Sequence, residues 1–208
     1  MKDEAERKAD GEAVVVGARR RRDAGGVSIY QLPQDLPVPV DDGACAHLEG
    51  TAVPQLELES TLGPVDLAAL AAGRAVLYVY PRTGRPGHQV PAEWDAIPGA
   101  RGCTPQSCGF RDHREELSGR GVRLAGLSAQ TLEEQIELSE RLGLLHAVIA
   151  DPELRLRADL GLPTFEFEGA TLYKRVTLIF SARRIEKVFY PVFPPDRNAE
   201  EVLEWLGS

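Results

Sequence analysis

Cysteine is scarce in this sequence, with three in 208 residues. An odd number this small does not build the disulfide framework of a small secreted protein, and a cytosolic chain would keep the thiols reduced. We therefore expect any cysteine function to be catalytic, redox-sensing or metal-binding.

Long hydrophobic runs are also missing. No apolar stretch approaches the roughly 20 residues that span a bilayer, and the longest, such as residues 75–80, have the length of a buried strand. Residues 1–8 mix acidic and basic side chains without an apolar segment, which excludes a secretory signal. We expect a cytoplasmic chain with no membrane partner.

Positive charge is in deficit. Lys and Arg number 24 against 32 Asp and Glu, which gives a formal net charge of −8 and argues against general nucleic-acid binding. Hydrophobic residues make up 43% and charged residues 27% of the chain, which is typical of a globular protein rather than a disordered one. The length favours one domain with appended segments.

Three segments differ in composition. Residues 1–27 carry charge runs, including four arginines at 19–22, and no sustained apolar period, so they predict a flexible extension. Prolines impose an extended path on the following arm, placed at 28–54. Residues 55–208 then form the domain, with an irregular insertion at about 82–101 that is rich in proline and glycine.

Strand and helix patterns alternate along this domain. Residues 55–60 alternate between apolar and polar, which predicts a strand with one wet face, whereas the continuous apolar run 76–80 predicts a central strand covered on both faces. Further strands are predicted at 122–127, 146–150, 176–180 and 185–189, and helices at 104–117, from Thr131 to Leu142, from Asp151 and from Asn198. Thr131 with Glu134, and Asn198 with Glu201, have capping-box spacing. This order predicts an α/β fold with a central mixed sheet flanked by helices, which is also the order of a thioredoxin-like fold.

Cys103 lies at the predicted start of a helix. Unpaired N–H groups and the positive end of the helix dipole favour an anion there, and such a position commonly lowers a thiol pKa from about 8.5 to around 7 or less. Arg101 and Arg111 add positive charge nearby. The alternative is a buried cysteine that happens to begin a helix.

Cys108 makes a redox role more specific. Residues five apart in a regular helix are separated by roughly 8 Å, whereas a disulfide needs Cα atoms within about 7 Å. A bond between Cys103 and Cys108 therefore requires the helix to unwind, and the flanking Gly102 and Gly109 would ease that change. The pair is consistent with a redox cycle in which one cysteine attacks and the second resolves it.

The segment Gly102–Asp112, which reads Gly-Cys-Thr-Pro-Gln-Ser-Cys-Gly-Phe-Arg-Asp, resembles the active-site signature of peroxiredoxins, in particular the PrxQ or bacterioferritin comigratory protein subgroup. The similarity covers about residues 50–206 in the same order. Other segments that resemble family segments are Leu77–Pro81, Gly126–Ser128, Asp151–Glu153 and Arg175–Ile179.

The resemblance implies a thiol peroxidase that reduces hydrogen peroxide or organic hydroperoxides without a cofactor or metal. Cys103 would be the peroxidatic cysteine, oxidised to a sulfenic acid, and Cys108 the resolving one. Arg175 would reach the thiolate and the peroxide. A thioredoxin-type dithiol would reduce the Cys103–Cys108 disulfide, and the chain is expected to be a monomer or weak dimer.

One departure from the family concerns a hydroxyl. The family usually has a threonine three residues before the reactive cysteine, where Ala100 stands here, and 21 residues separate Pro81 from Cys103. Thr83 from the far side of the insertion, Thr104, or neither supplies that hydroxyl. The residues expected to bind substrate are Pro81, Thr83, Gly102, Thr104 and Arg111.

Two other functions remain open at this point. A non-enzymatic redox sensor or binding module on the same fold is one, and a zinc module using Cys45, Cys103, Cys108 and a histidine is the other, although its spacing fits poorly. Cys45 is an alternative resolving thiol or an incidental one. In the insertion, a packed Trp94 with an idle His88 is favoured over a lid.

Overall fold

A computed structural model describes residues 32–84 and 90–208. The predicted extension at 1–27, the first residues of the arm and His88 lie outside the described residues. In chain order the elements are β1 (Glu57–Leu58), β2 (Val65–Asp66), α1 (Leu67–Leu70), β3 (Ala75–Val79), α2 (Ala92–Asp95), α3 (Cys103–Asp112), α4 (Arg114–Gly119), β4 (Arg123–Ser128), α5 (Leu132–Leu142), β5 (Ala147–Ala150), α6 (Arg155–Leu160), β6 (Thr164–Phe167), β7 (Ala170–Tyr173), β8 (Val176–Ser181), β9 (Arg184–Phe189), a 3₁₀ turn (Pro195–Arg197) and α7 (Asn198–Gly207).

A five-stranded mixed sheet of order β5-β4-β3-β8-β9 forms the centre of the fold. Strand β3 pairs in parallel with β4 and antiparallel with β8, so that Val79 lies opposite both Leu127 and Val176. All five residues of β3 are buried, as its continuous apolar sequence predicted, because both faces of the sheet are covered. The predicted mixed α/β sheet is confirmed.

The two faces of the sheet carry separate cores. Alternate residues of β3 supply them, with Leu77 on one face and Tyr78 on the other. The arm, α1 and α6 cover the first face, while α3, α4, α5 and α7 cover the second. The helix that carries two of the cysteines therefore packs on the Tyr78 face.

The helix expected over 104–117 is interrupted. Its backbone leaves helical geometry at His113, where φ is −98° and ψ is 5°, so α3 ends at Asp112 and α4 begins at Arg114. The expected helix at Asp151 also starts late. Asp151 does cap backbone N–H groups, but those of Arg155 and Leu156, because Leu154 adopts a left-handed conformation before the first turn.

Local patterns identified other elements well. The capping box of Thr131 and Glu134 is present, with both hydrogen bonds formed. The strand expected over residues 55–60 shortens to β1, although burial still alternates as predicted. The expected β8–β9 hairpin forms, and Ala182 and Arg183 occupy its turn with positive φ.

The capping box expected for Asn198 and Glu201 is wrong. A 3₁₀ turn leads directly into α7, so Asn198 is already a helical residue, and the helix start has no capping hydrogen bond from a side chain. Instead, Asn198 is fully buried and its side chain faces α3 and β8.

The described part of the insertion packs against an unpredicted hairpin, β6–β7. The insertion contains α2, and Trp94 of this helix is buried. The Trp94 ring centroid lies 4.9 Å from that of Phe167 in β6. The Arg82 guanidinium lies 5.0 Å from the Trp94 ring centroid. The preference for a packed Trp94 is thus confirmed. Over the described ranges, the helices are too short or too polar to cross a bilayer.

Candidate active site

The start of α3 is fixed by a glycine. Gly102 has φ of +102°, and a Cβ there would come within 2.3 Å of Pro195 Cγ and 2.8 Å of Leu32 Cδ2. Only glycine can adopt this positive φ and leave room for the Pro195 and Leu32 side chains without strain. As a result Cys103 becomes the first helical residue and is buried among the unpaired N–H groups of the first turn.

Arg175 reaches Cys103 because of the strand register. Val176 lies opposite Val79 at the end of β3, which places the preceding arginine beside the helix that follows the insertion. Its Nη2 lies 3.3 Å from Cys103 Sγ and donates to the carbonyl oxygens of Ala100 and Arg101 at 3.2 and 3.1 Å. Since Arg175 is only 3% exposed, the guanidinium is held against the sulfur in a buried site.

A chain of three further side chains leads from this arginine, and the first of them contacts it directly. Arg175 Nη1 donates to Gln106 Oε1, and Gln106 Nε2 donates to Asn198 Oδ1 at 3.0 Å. The Thr177 hydroxyl donates to the same Asn198 oxygen at 2.7 Å. All four side chains are buried, so water competes little for these hydrogen bonds.

The candidate hydroxyls are both buried. Thr83 donates through its hydroxyl to Gln130 Oε1 at 3.0 Å, and its backbone N–H donates to the same oxygen at 2.8 Å. Thr104 lies in the first turn of α3, directly after Cys103, and Pro81 lies buried two residues after β3. The geometry thus ties Thr83 to Gln130, and a substrate role for Thr83, Thr104 or Pro81 stays a prediction.

The two arginines expected to add positive charge have other partners. Arg111 lies in the last turn of α3, where it donates to Asp112 Oδ1 and to the Leu142 carbonyl, both at 2.8 Å. Eight residues of helix place its backbone about 12 Å along the axis from Cys103. Arg101 is buried, and Asp95 offsets its charge at 3.2 Å.

Cys108 lies in the second turn of the same continuous helix, and both its thiol and that of Cys103 are free. Helical geometry puts their Cα atoms about 8–9 Å apart, beyond disulfide range. Burial raises the pKa of Cys108, opposed mainly by the charge of Arg111. In the folded helix Cys108 is therefore a protonated thiol that cannot reach Cys103.

Cys45 packs on the opposite face of the central sheet from Cys103. Burial, with Asp42 as a further cause, raises its pKa to about 12. Across residues 32–84 and 90–208, no cluster of three or more His, Cys, Asp or Glu side chains is arranged to hold a metal ion. The zinc module using Cys45 and Cys103 together is excluded by the sheet between them.

Sequence reasoning did not identify Gln106, Thr177 or Asn198. Gln106 lies three residues after Cys103, and this spacing puts both on one helix face, so a local signal for it existed. Thr177 lies in β8, two residues after Arg175, which directly precedes that strand, so an alternating extended chain puts both side chains on the same side. Asn198 carried no signal except one that suggested a helix cap.

The protein-family model described as Redoxin matches residues 48–203 of the chain. Among curated proteins, the chain is 26% identical over 162 residues to peroxiredoxin Q, chloroplastic, from Sedum lineare, covering 77% of this chain and 78% of that one. It is 27% identical over 162 residues to peroxiredoxin Bcp from Escherichia coli (strain K12), covering 76% and 94%.

Solved structures show the same fold. The peroxidoxin BcpB structure from Mycobacterium tuberculosis has a TM-score of 0.63 at 24% identity and covers 77% of this chain and 97% of that chain. A mutant of PrxQ from Xylella fastidiosa has a TM-score of 0.63 at 17% identity and covers 77% and 96%. These likenesses confirm the predicted thioredoxin-like fold.

Proposed function

The chain belongs to the redoxin family and is a thiol-dependent peroxidase of the peroxiredoxin type, and from this premise we propose that Cys103 is the residue that attacks the peroxide. The observation that carries the assignment is the contact between Arg175 Nη2 and Cys103 Sγ at 3.3 Å. A fixed cation and the unpaired N–H groups of a helix start both favour the thiolate, which is the reactive form of a cysteine.

In the first step the Cys103 thiolate attacks one oxygen of the O–O bond. That bond breaks, the second oxygen leaves with the electron pair and is protonated to water or an alcohol, and the sulfur becomes a sulfenic acid. The preorganised guanidinium of Arg175 stabilises the negative charge as it moves from sulfur to the leaving oxygen. Its three acceptors, the carbonyl oxygens of Ala100 and Arg101 and Gln106 Oε1, keep it in place.

In the second step Cys108 resolves the sulfenic acid. Because an intact α3 keeps the two sulfurs apart, the first turns of the helix unwind before Cys108 attacks the Cys103 sulfur and expels water. Unwinding also exposes Cys108 to solvent and removes the burial that raises its pKa, so the thiolate needed for attack forms more readily. A thioredoxin-type dithiol then reduces the disulfide by exchange.

Peroxide consumption with thioredoxin and thioredoxin reductase tests the scheme. Cys103→Ser is expected to abolish turnover, because a hydroxyl is far less acidic than a thiol. Arg175→Met is expected to slow the first step about 100-fold, as when one preorganised donor is lost. Arg175→Lys is expected to react faster than Arg175→Met but more slowly than wild type, since it keeps the charge but not the planar fork.

The resolving role is tested in the same assay. Cys108→Ser is expected to consume one equivalent of peroxide, stop, and then over-oxidise at Cys103. Mass mapping of the oxidised wild type is expected to find a Cys103–Cys108 disulfide. Normal turnover by Cys103→Ser contradicts the first assignment, whereas full thioredoxin-linked turnover by Cys108→Ser moves the resolving role to Cys45 or another chain. One oxidation of the wild type without recycling is the behaviour of a sensor.

A further inference from the structure

Asn198 has a buried side chain that does not cap its own helix. It is 0% exposed, it begins α7, and the start of that helix has no capping hydrogen bond from a side chain. Its Oδ1 accepts two hydrogen bonds from other elements, one from Gln106 on α3 and one from Thr177 on β8. Gln106 in turn accepts a hydrogen bond from the arginine at the reactive sulfur, and Thr177 lies two residues after that arginine.

The direction of the hydrogen bonds is fixed by chemistry. An arginine side chain only donates, so Gln106 must turn its oxygen towards Arg175 and its NH₂ group away. That NH₂ group then requires an acceptor, which restricts Asn198 to presenting its oxygen. The Thr177 hydroxyl donates to this oxygen as well and holds the amide in one orientation.

We propose that Asn198, supported by Thr177, is a positioning residue that fixes Gln106 and thereby holds the Arg175 guanidinium against Cys103 Sγ. The proposal rests on the peroxidatic role of Cys103 set out above. Without Asn198, the Gln106 NH₂ group and the Thr177 hydroxyl lose a buried acceptor, and Gln106 turns to find another partner. Arg175 then loses one of the hydrogen bonds that orient its guanidinium group.

The same residue restrains the unwinding of α3. Gln106 lies between the two cysteines in the sequence, so unwinding the turn that carries it pulls it away from Asn198 and from Arg175 together. The hydrogen bonds that hold the reactive geometry therefore also oppose the resolving step. Loss of Asn198 has opposite effects on the two steps, with slower attack on peroxide and faster formation of the Cys103–Cys108 disulfide.

Rapid-mixing kinetics with quenching and mass spectrometry separate these two steps. For Asn198→Ala we expect the second-order rate constant of Cys103 oxidation to fall about tenfold, and the rate of disulfide formation to rise severalfold. Asn198→Asp keeps an acceptor oxygen for both donors and is expected to recover most of the lost oxidation rate. Thr177→Val keeps the side-chain volume, removes one donor, and is expected to change both rates in the same directions by a smaller factor.

Val202→Ala is the matched control. Val202 is also fully buried and lies one helical turn beyond Asn198 in α7, packed in the core without a polar contact to the site. Its truncation lowers stability as a buried alanine substitution does, but we expect both rate constants to stay within twofold of wild type.

Several outcomes overturn the inference. If both Asn198→Ala and Thr177→Val oxidise Cys103 at the wild-type rate, Asn198 has no positioning role, and the proposed role of Cys103 is unaffected. Equal slowing of both steps, reproduced by Val202→Ala, shows general destabilisation and also overturns it. If Asn198→Ala does not fold, Thr177→Val is the deciding variant. The inference then requires a lower rate of Cys103 oxidation together with a higher rate of disulfide formation, and any other result overturns it. A wild-type chain whose Cys103 does not react with peroxide refutes the proposed function itself.

Discussion

Among single residues, Gly102 is one whose replacement the structure tolerates poorly. It combines a positive φ with a hypothetical Cβ that would overlap Pro195 and Leu32. We expect Gly102→Ala to lower the free energy of unfolding by about 2–5 kcal/mol, the sum of left-handed strain and overpacking. Urea denaturation measures the loss, and displacement of Cys103 is expected to slow peroxide reduction in parallel.

Gly121→Ala is the matched control for that change. Gly121 has φ of +72°, but a Cβ there would meet nothing within 4 Å. Its replacement therefore measures the strain alone, about 1–2 kcal/mol. Equal losses for the two variants would mean that the contacts with Pro195 and Leu32 yield without cost, and that the start of α3 is less constrained than the structure indicates.

Asn198 also shows where local reasoning fails. Its spacing to Glu201 is that of a capping box, and a cap contributes about 1 kcal/mol. Leaving the buried Gln106 amide without an acceptor costs about 1–3 kcal/mol, so the long-range contact prevails over the local one. The start of a predicted helix singled out Cys103, whereas Arg175 was identified only by resemblance to a family, and no pattern within the sequence alone would have paired them.

At the scale of elements, α3 is the segment in which the proposed chemistry and the fold conflict. Its ten residues form one continuous helix, and a disulfide between Cys103 and Cys108 cannot form within it. We expect hydrogen exchange of peptides covering 103–112 to be slow in the reduced chain and fast in the peroxide-treated chain. Exchange measured by mass spectrometry tests this directly.

Cys108→Ser provides the reference state for that measurement. It is oxidised at Cys103 but has no resolving thiol, so α3 is expected to keep its protection after peroxide treatment. If the oxidised wild type keeps the same protection while mass mapping finds Cys103 bonded to Cys108, the helical geometry argued above is wrong. Protection lost equally in both chains would trace the opening to the sulfenic acid rather than to the disulfide.

Elements defined by local pattern were predicted, and those defined by contacts between distant segments were not. Continuous apolar residues identified β3, and the pair Thr131 and Glu134 identified the start of α5. The β6–β7 hairpin was not predicted. Phe165 and Phe167 pack there against Trp94 of the insertion, a partner about 70 residues earlier that no local window reveals.

Across the whole molecule, two acidic side chains of the arm form ion pairs with the domain, Asp42 with Lys174 and Glu49 with Lys187. Asp42 accepts hydrogen bonds from Lys174 at 2.6 Å and from Tyr190 at 2.8 Å. These contacts, led by that with Lys174, lower the pKa of Asp42 to about 2 from 3.8. Because the folded state favours the carboxylate, this contribution to stability is present above about pH 4 and disappears as the pH falls towards 2.

We therefore expect Asp42→Asn to unfold at a lower temperature than wild type at pH 7, by about 1–3 °C since the ion pair is exposed. The difference should shrink as the pH falls below about 4 and vanish near 2. Lys174→Met removes the partner charge and should show the same pH dependence. Melting curves at a series of pH values provide the measurement, and a constant difference at all pH values would contradict it.

Cys103 leaves the ribosome long before the residues that we propose to activate it. Arg175 follows 72 positions later, and Asn198 comes 92 positions after Gln106. Until these segments are synthesised and β8 has paired with β3, the cysteine lacks its cation and its helix lacks its support. Under the proposed mechanism, a nascent chain, or one shortened before Arg175, therefore carries the Cys103 thiol without its peroxidase activity.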